Sequence, residues 1–194
     1  MKALLSKLIK LPFFIPHILV YYLYKNESYE IECWARALRI KKEKVFLFFY
    51  LIVNFKEFRT LFYKRHSLLK KLTAWYVPGQ TALFIDMPIK RVGSGLIVQH
   101  GHSTQILAER IGMNCQIWQN VTIGKNKPGG NMPIIGDNCK IYAGAVVVGG
   151  ITLGNDVTVG ANAVVVKNVP DFSVVVGNPA RIVKKDGKRV NISL

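Results

Sequence analysis

The 194-residue sequence is short of cysteine, of acidic side chains and, over its first 80 residues, of glycine. Its three cysteines, Cys33, Cys115 and Cys139, are an odd and widely spaced set. That argues against a disulfide scaffold or a cysteine zinc site and suits a reducing, cytoplasmic compartment. Histidine is scarce as well: His100 and His102 lie together, His17 and His66 are remote, and three cannot converge on one ion, so no metal is expected. Long apolar runs are missing. The longest uncharged stretches, Leu11 to Tyr24 (broken by Pro12 and Pro16) and Val45 to Phe55, fall short of the roughly 20 residues a membrane span needs. Lys7 and Lys10 interrupt what would be the apolar part of a signal peptide. Eleven acidic residues against 27 basic ones leave a formal charge of +16, which favours a negatively charged partner. The basic residues follow no nucleic-acid-binding motif and the aromatics lie in apolar stripes, so anionic lipid or a phosphorylated small molecule is expected rather than nucleic acid.

What is present divides into two grammars. Residues 1–80 hold 15 basic and 5 acidic side chains and a single glycine, Gly79, the composition of a basic helical region. Ser28, Glu30 and Glu32 mark a helix start, followed by Ile31, Trp34, Ala35 and Leu38 at helical spacing. Phe55, Phe58, Leu61, Phe62, Leu68, Leu69 and Leu72, interleaved with Lys56, Arg59, Lys64, Arg65, Lys70 and Lys71, read as an amphipathic helix with a packed apolar face and a solvated basic one, with a membrane-surface or oligomer-contact role as the alternative. Near the start, Leu4, Leu5, Leu8, Ile9, Phe13 and Phe14 with Lys2, Lys7 and Lys10 suit a segment lying in the plane of an anionic membrane surface, a peripheral contact on the cytoplasmic side.

From Val92 onward the chain has a period of six. Counting from Ile111, positions 117, 123, 135, 141, 147, 153, 159 and 165 are all aliphatic, and Gly follows at 112, 124, 136, 154 and 160. The fifth position of each unit is apolar and mostly small: Cys115, Val121, Cys139, Ala145, Ile151, Val157, Ala163 and Val169. A strand alternates every two residues and a helix every 3.6, so neither gives a strict six. Short strands separated by turns do, three to a coil of a prism, with the aliphatic residue on the axis and the small one in the corner. Val92 to Pro170 makes roughly four coils at a rise of ~4.8 Å each. The expected fold is mainly β, a parallel β-helix over residues 81–183, with 184–194 as a basic C-terminal tail.

Functional groups in such a solenoid sit where the period fails. It fails over Val98 to Ile111, which contains Gln99, His100, His102, Ser103 and Thr104, and over Lys125 to Ile134, an extruded Pro/Gly/Asn loop. Asp86 lies 14 residues before His100, and with a coil of about 18 residues the two are expected to approach on adjacent turns. A carboxylate there would fix the imidazole tautomer and leave the other nitrogen to take a proton from an alcohol.

The segments Ile85-Asp86-Met87-Pro88, Gly95-Leu96-Ile97-Val98-Gln99-His100, Gln119-Asn120-Val121-Thr122-Ile123-Gly124 and Gly177-Asn178-Pro179-Ala180-Arg181-Ile182-Val183 resemble serine acetyltransferases and the related polysaccharide O-acetyltransferases. These are hexapeptide-repeat enzymes of left-handed β-helix fold. The resemblance implies transfer of an acetyl group from acetyl-CoA, with His100 as general base and Asp86 as its partner. It places the pantetheine arm along Ala143, Gly144, Gly160 and Ala161, between coils of adjacent subunits. Cations for the phosphates are Lys167 and Arg181, with Lys184 and Lys185 nearby, and the oxyanion donor is a backbone N–H near Gly144. A homotrimer follows, with a dimer of trimers through the N-terminal helices as the larger assembly.

Two positions depart from serine acetyltransferases. Gln99 stands where they have an Asp before the catalytic His, and Asn131-Met132 stand where Arg-His precede the loop proline. Loss of both charged anchors for a zwitterion, with Gln99, His102, Trp118, Asn131 and Met132 lining the acceptor side, points to a sugar hydroxyl in cell-surface polysaccharide synthesis. Serine O-acetylation in cysteine biosynthesis and a non-catalytic scaffold are the alternatives.

Overall fold

A computed structural model describes residues 14–23, 27–41 and 43–194. The chain divides into two compact units at Gly79/Gln80. The residues proposed for membrane insertion before Phe14 lie outside the described residues. Phe14 itself is buried, edge-on to Phe49, rather than presented to lipid.

In the first unit α1 (Ile15–Leu23), α2 (Glu27–Leu38), α3 (Lys44–Asn54), α4 (Lys56–Arg65) and α5 (Ser67–Thr73) pack around aromatic rings. Trp34, Phe48 and Phe62 are fully buried, with Phe58 packed against all three. Ile31, Trp34 and Ala35 are the buried stripe of α2, at the spacing read from the sequence. The single amphipathic helix expected over 55–72 is instead two, broken at His66, whose φ of −121° and ψ of 72° are not helical. Its two faces are also exchanged in part: Leu68 and Leu72 are exposed, while Arg59 is buried. Arg59 is held by three carbonyls, donating to Ile52 O at 2.5 Å, Val53 O at 3.0 Å and Pro78 O at 2.8 Å. Two of these belong to the last turn of α3, where unpaired carbonyls and the helix dipole favour a cation.

The second unit is a three-faced parallel β-helix. One face stacks β1 (Leu83–Ile85), β3 (Thr104–Ile106), β6 (Thr122–Gly124), β9 (Val146–Val148) and β12 (Val164–Val165). A second face stacks β4 (Arg110–Ile111), β7 (Ile134–Ile135) and β10 (Thr152–Leu153). The third has β2 (Ile97–Val98), β5 (Gln116–Ile117), β8 (Lys140–Ile141), β11 (Thr158–Val159) and β13 (Ser173–Val176). All these pairings are parallel, and the aliphatic position of every six-residue unit from Ile111 to Val165 is at most 1% exposed.

Glycine after the aliphatic position serves close stacking at Gly112, Gly136, Gly154 and Gly160, none of which has a positive φ. A Cβ on Gly112 would stand 2.5 Å from the Gly136 carbonyl, and one on Gly136 2.5 Å from that of Gly154. Left-handed corners fall instead to Asn114, Asn138 and Asp156, and to Asn120, Gly144 and Asn162; the short polar side chains of Asn and Asp tolerate that region, and Gly144 has no Cβ to clash. Corner side chains bridge successive coils, Asp137 Oδ1 accepting from Met113 N at 2.8 Å and Asn155 Oδ1 from Asp137 N at 2.9 Å.

The expected basic tail at 184–194 is not a tail. β14 (Arg181–Lys185) and β15 (Lys188–Ser193) form an antiparallel hairpin that extends the third face beyond β13. Its turn is Asp186-Gly187, both at positive φ (48° and 79°), a hairpin signal present in the sequence.

Candidate active site

The chain departs from the hexad at the two predicted places. Inward-facing Val98 and Ile106 are eight positions apart instead of six, and Ile106 and Ile111 are five. The surplus is taken up by a tight excursion in which His100 and Ser103 adopt positive φ (52° and 51°) and His102 N–H donates to the His100 carbonyl. Thr104, fully buried, anchors the excursion by placing its hydroxyl 3.2 Å from the carbonyls of both His102 and Trp118. His100 is exposed, and a non-glycine residue in the left-handed region costs roughly 1–2 kcal/mol. The second departure lengthens one coil: Met113 and Asp137 sit above one another 24 residues apart, whereas Asp137 and Asn155 are separated by 18.

These two features lie on different edges of the prism. The edge between the third and first faces carries Gln99, His100 and His102, and below them Trp118, Ala143, Gly144, Gly160 and Ala161. A ladder of backbone bonds ties it together, from Asn120 N to His102 O (3.1 Å), Gly144 N to Gln119 O (3.1 Å) and Asn162 N to Ala143 O (3.0 Å). Trp118 stacks on Tyr142 of the next coil, ring centroids 4.3 Å apart. Because the Gly144 N–H is bonded to Gln119 O, it is not a free oxyanion donor. The side-chain oxygen of Gln119 is buried there without a hydrogen-bond partner.

The edge between the first and second faces carries Asp86, Lys167 and the extruded loop. Asp86 follows β1, its N–H bonded to Ile106 O at 2.9 Å, and Lys167 follows β12. Asn131 and Met132 belong to the extruded loop, which borders a 510 Å³ cleft together with Glu109, Lys125, Gly150 and Thr152. Arg181 is on β14, exposed. Asp86 and His100 therefore flank opposite ends of the first face, separated by the length of β3, and no hydrogen bond joins them within one chain. Spacing of 14 residues in a coil of about 18 does not bring two groups to one corner.

A three-faced prism of six-residue units, with an exposed imidazole above a run of small residues on one edge and an extruded loop on another, resembles the hexapeptide-repeat transferases. Residues 132–167 match the bacterial transferase hexapeptide family (six repeats). The serine acetyltransferase of Staphylococcus xylosus is 40% identical over 134 residues, 67% of this chain and 61% of that protein. That of Staphylococcus aureus (strain Mu50) is 44% identical over 107 residues, 53% of this chain and 50% of that protein. The chain thus spans between half and 61% of the length of these curated relatives. Among solved structures, Neisseria gonorrhoeae serine acetyltransferase in complex with serine superposes with a TM-score of 0.60 at 27% identity, covering 78% of this chain and 65% of that one. The soybean apoenzyme gives 0.55 at 29%, covering 79% and 66%. The fold is the left-handed β-helix of hexapeptide repeats preceded by helices, and the chain is serine acetyltransferase-like.

The expectation of a polysaccharide acceptor is overturned by these relatives, which are serine acetyltransferases at 40% and 44% identity. Within a single chain Gln99 and Asn131-Met132 lie on different edges.

Proposed function

We propose that this chain is an acetyl-CoA-dependent serine O-acetyltransferase. The observation that supports it most is the 40% identity to a serine acetyltransferase over 67% of the chain, a stretch long enough to take in most of the β-helix. In this reading His100 removes the proton from the acceptor hydroxyl as the oxygen attacks the thioester carbonyl, and returns it to the departing thiolate. Ala143, Gly144, Gly160 and Ala161 offer a side-chain-poor track for the pantetheine arm, while Lys167 and Arg181 supply positive charge for the phosphates. Gln99 and His102 line the acceptor on one edge, and Asn131 and Met132 on the other. Trp118, stacked on Tyr142, forms the wall below His100.

Because the groups divide between two edges, the reading includes a homotrimer. Closed cyclic packing sets one edge of each prism against the other edge of its neighbour, bringing Asp86 of one copy to His100 of the next. The three cysteines are free and buried, which fits a reducing cytoplasmic compartment. Serine-dependent release of free thiol from acetyl-CoA tests the activity, and efficient saturable turnover is expected. One observation favours the scaffold alternative, namely that His100 is exposed with no carboxylate bonded to it in a single chain. A stable monomer in solution without thiol release would establish that alternative.

A further inference from the structure

The helical unit presents an apolar stripe that its own core does not use. On α5 and the turn after it, Leu68 is 71% exposed, Leu72 60% and Trp75 80%, at the i, i+4, i+7 spacing of one helix face. The opposite face holds the buried Leu69, Thr73 and Val77, so the exposed side is not a fraying end but the outer side of a packed element. Trp75 is fixed in place by its indole N–H, which donates to Leu72 O at 3.0 Å. A second stripe, Ile15, Leu19 and Tyr22, stands exposed on α1, which packs against α5.

Charge accompanies the stripe. Between Glu57 and Asp86 the sequence contains no acidic residue, while Lys64, Lys70 and Lys71 are all exposed, and Lys71 stands next to the stripe on its own helix. Arg65 is committed elsewhere, to Glu30 at 2.5 Å. At seven residues α5 is too short to cross a bilayer, so its stripe can only lie in the interface plane. Aliphatic anchors, a tryptophan held at the margin and lysines whose stems extend along apolar surface are the components of an interfacial membrane contact.

We infer that Leu68, Leu72 and Trp75, flanked by Lys71, dock the helical unit on an anionic lipid surface. The one-sided charge selects this occupant, because a like-charged copy of the same stripe would place lysines against lysines.

The inference is independent of the proposed acetyl transfer. Full-length protein is mixed with phosphatidylcholine vesicles with and without phosphatidylserine, and bound protein is measured by co-sedimentation at physiological salt. Binding is expected only with phosphatidylserine, and brominated lipid is expected to quench tryptophan emission in the parent but not in Trp75→Phe. The surface variant L68S/L72S/W75S should lower binding by at least about tenfold, and K71E should lower it by several-fold. Both should leave serine-dependent thiol release unchanged. Equal binding by the triple variant and the parent, or no binding by the parent, overturns the inference. So does a triple variant that binds vesicles normally but has a smaller mass in solution, which would identify the stripe as a contact between copies.

Discussion

Lowering the pH should loosen the helical unit through one buried imidazole. His17 is fully buried, and its Nε2–H donates at 2.8 Å to the Tyr63 hydroxyl, which passes its own proton to Val77 O at 2.7 Å. Nδ1 is left with no partner. A second proton would have to sit on that nitrogen, away from water and near the Arg59 guanidinium, so burial first and Arg59 second lower the pKa from 6.5 to about 4. The sign follows from linkage. Between pH 6.5 and 4 the unfolded chain binds a proton at this residue and the folded chain does not, so stability present above pH 6.5 is lost as pH falls. By pH 5 this amounts to about 2 kcal/mol, and below pH 4 it approaches about 3 kcal/mol, from 1.36 kcal/mol per pKa unit. The assay is urea unfolding followed by helical circular dichroism at pH 7.5 and 5, at fixed protein concentration, for the parent and His17→Gln. The variant should lose about 2 kcal/mol less on acidification than the parent. An identical pH dependence in both would refute the reasoning.

Replacing His100 with Ala should reduce acetyl transfer by about 10² to 10⁴ while acetyl-CoA binding, measured by calorimetry, stays within a few-fold. Asp86→Asn should act through the same imidazole and cost no more than that, with a shifted pH-rate profile. Co-refolding inactive His100→Ala chains with Asp86→Asn chains should restore part of the activity if the pair forms between copies, and no recovery would place both groups in one chain. Gly136→Ala should destabilise the β-helix by at least about 1–3 kcal/mol, read from thermal unfolding, because the added carbon meets the Gly154 backbone, which cannot move aside.

The β-helix was legible because its signal is redundant. Every coil repeats the same inward residue, and positions Ile111 to Val165 are buried as the period requires. The helical half lacks such repetition, and two physical effects were hidden there. Arg59 looks like one more surface cation until the end of α3 is known to need a donor beside it. Leu68 and Leu72 have the spacing of a core stripe and yet face outward, since spacing defines which residues share a face but not which face is covered. The Asp186-Gly187 pair carries a hairpin signal in its turn residues, but the basic side chains around it suggest a solvated tail instead.

The breaks in the repeat were legible in the sequence, and the edges they fall on were not. Broken periodicity located both His100 and the 125–134 loop, since insertions leave the wall of a solenoid wherever they occur. Where an insertion leaves the wall depends on how far around the coil it falls, and this sets the edge. His100 precedes β3 and the loop follows β6, so one face of the prism stands between them. Asp86, following β1, takes the loop's edge for the same reason. In the proposed reading each edge alone holds half of what acyl transfer to a hydroxyl requires: one has an imidazole and a small-residue track, the other a carboxylate and an extruded loop. The physical demand for both halves within hydrogen-bond reach is what makes packing of copies part of the proposed chemistry rather than an addition to it.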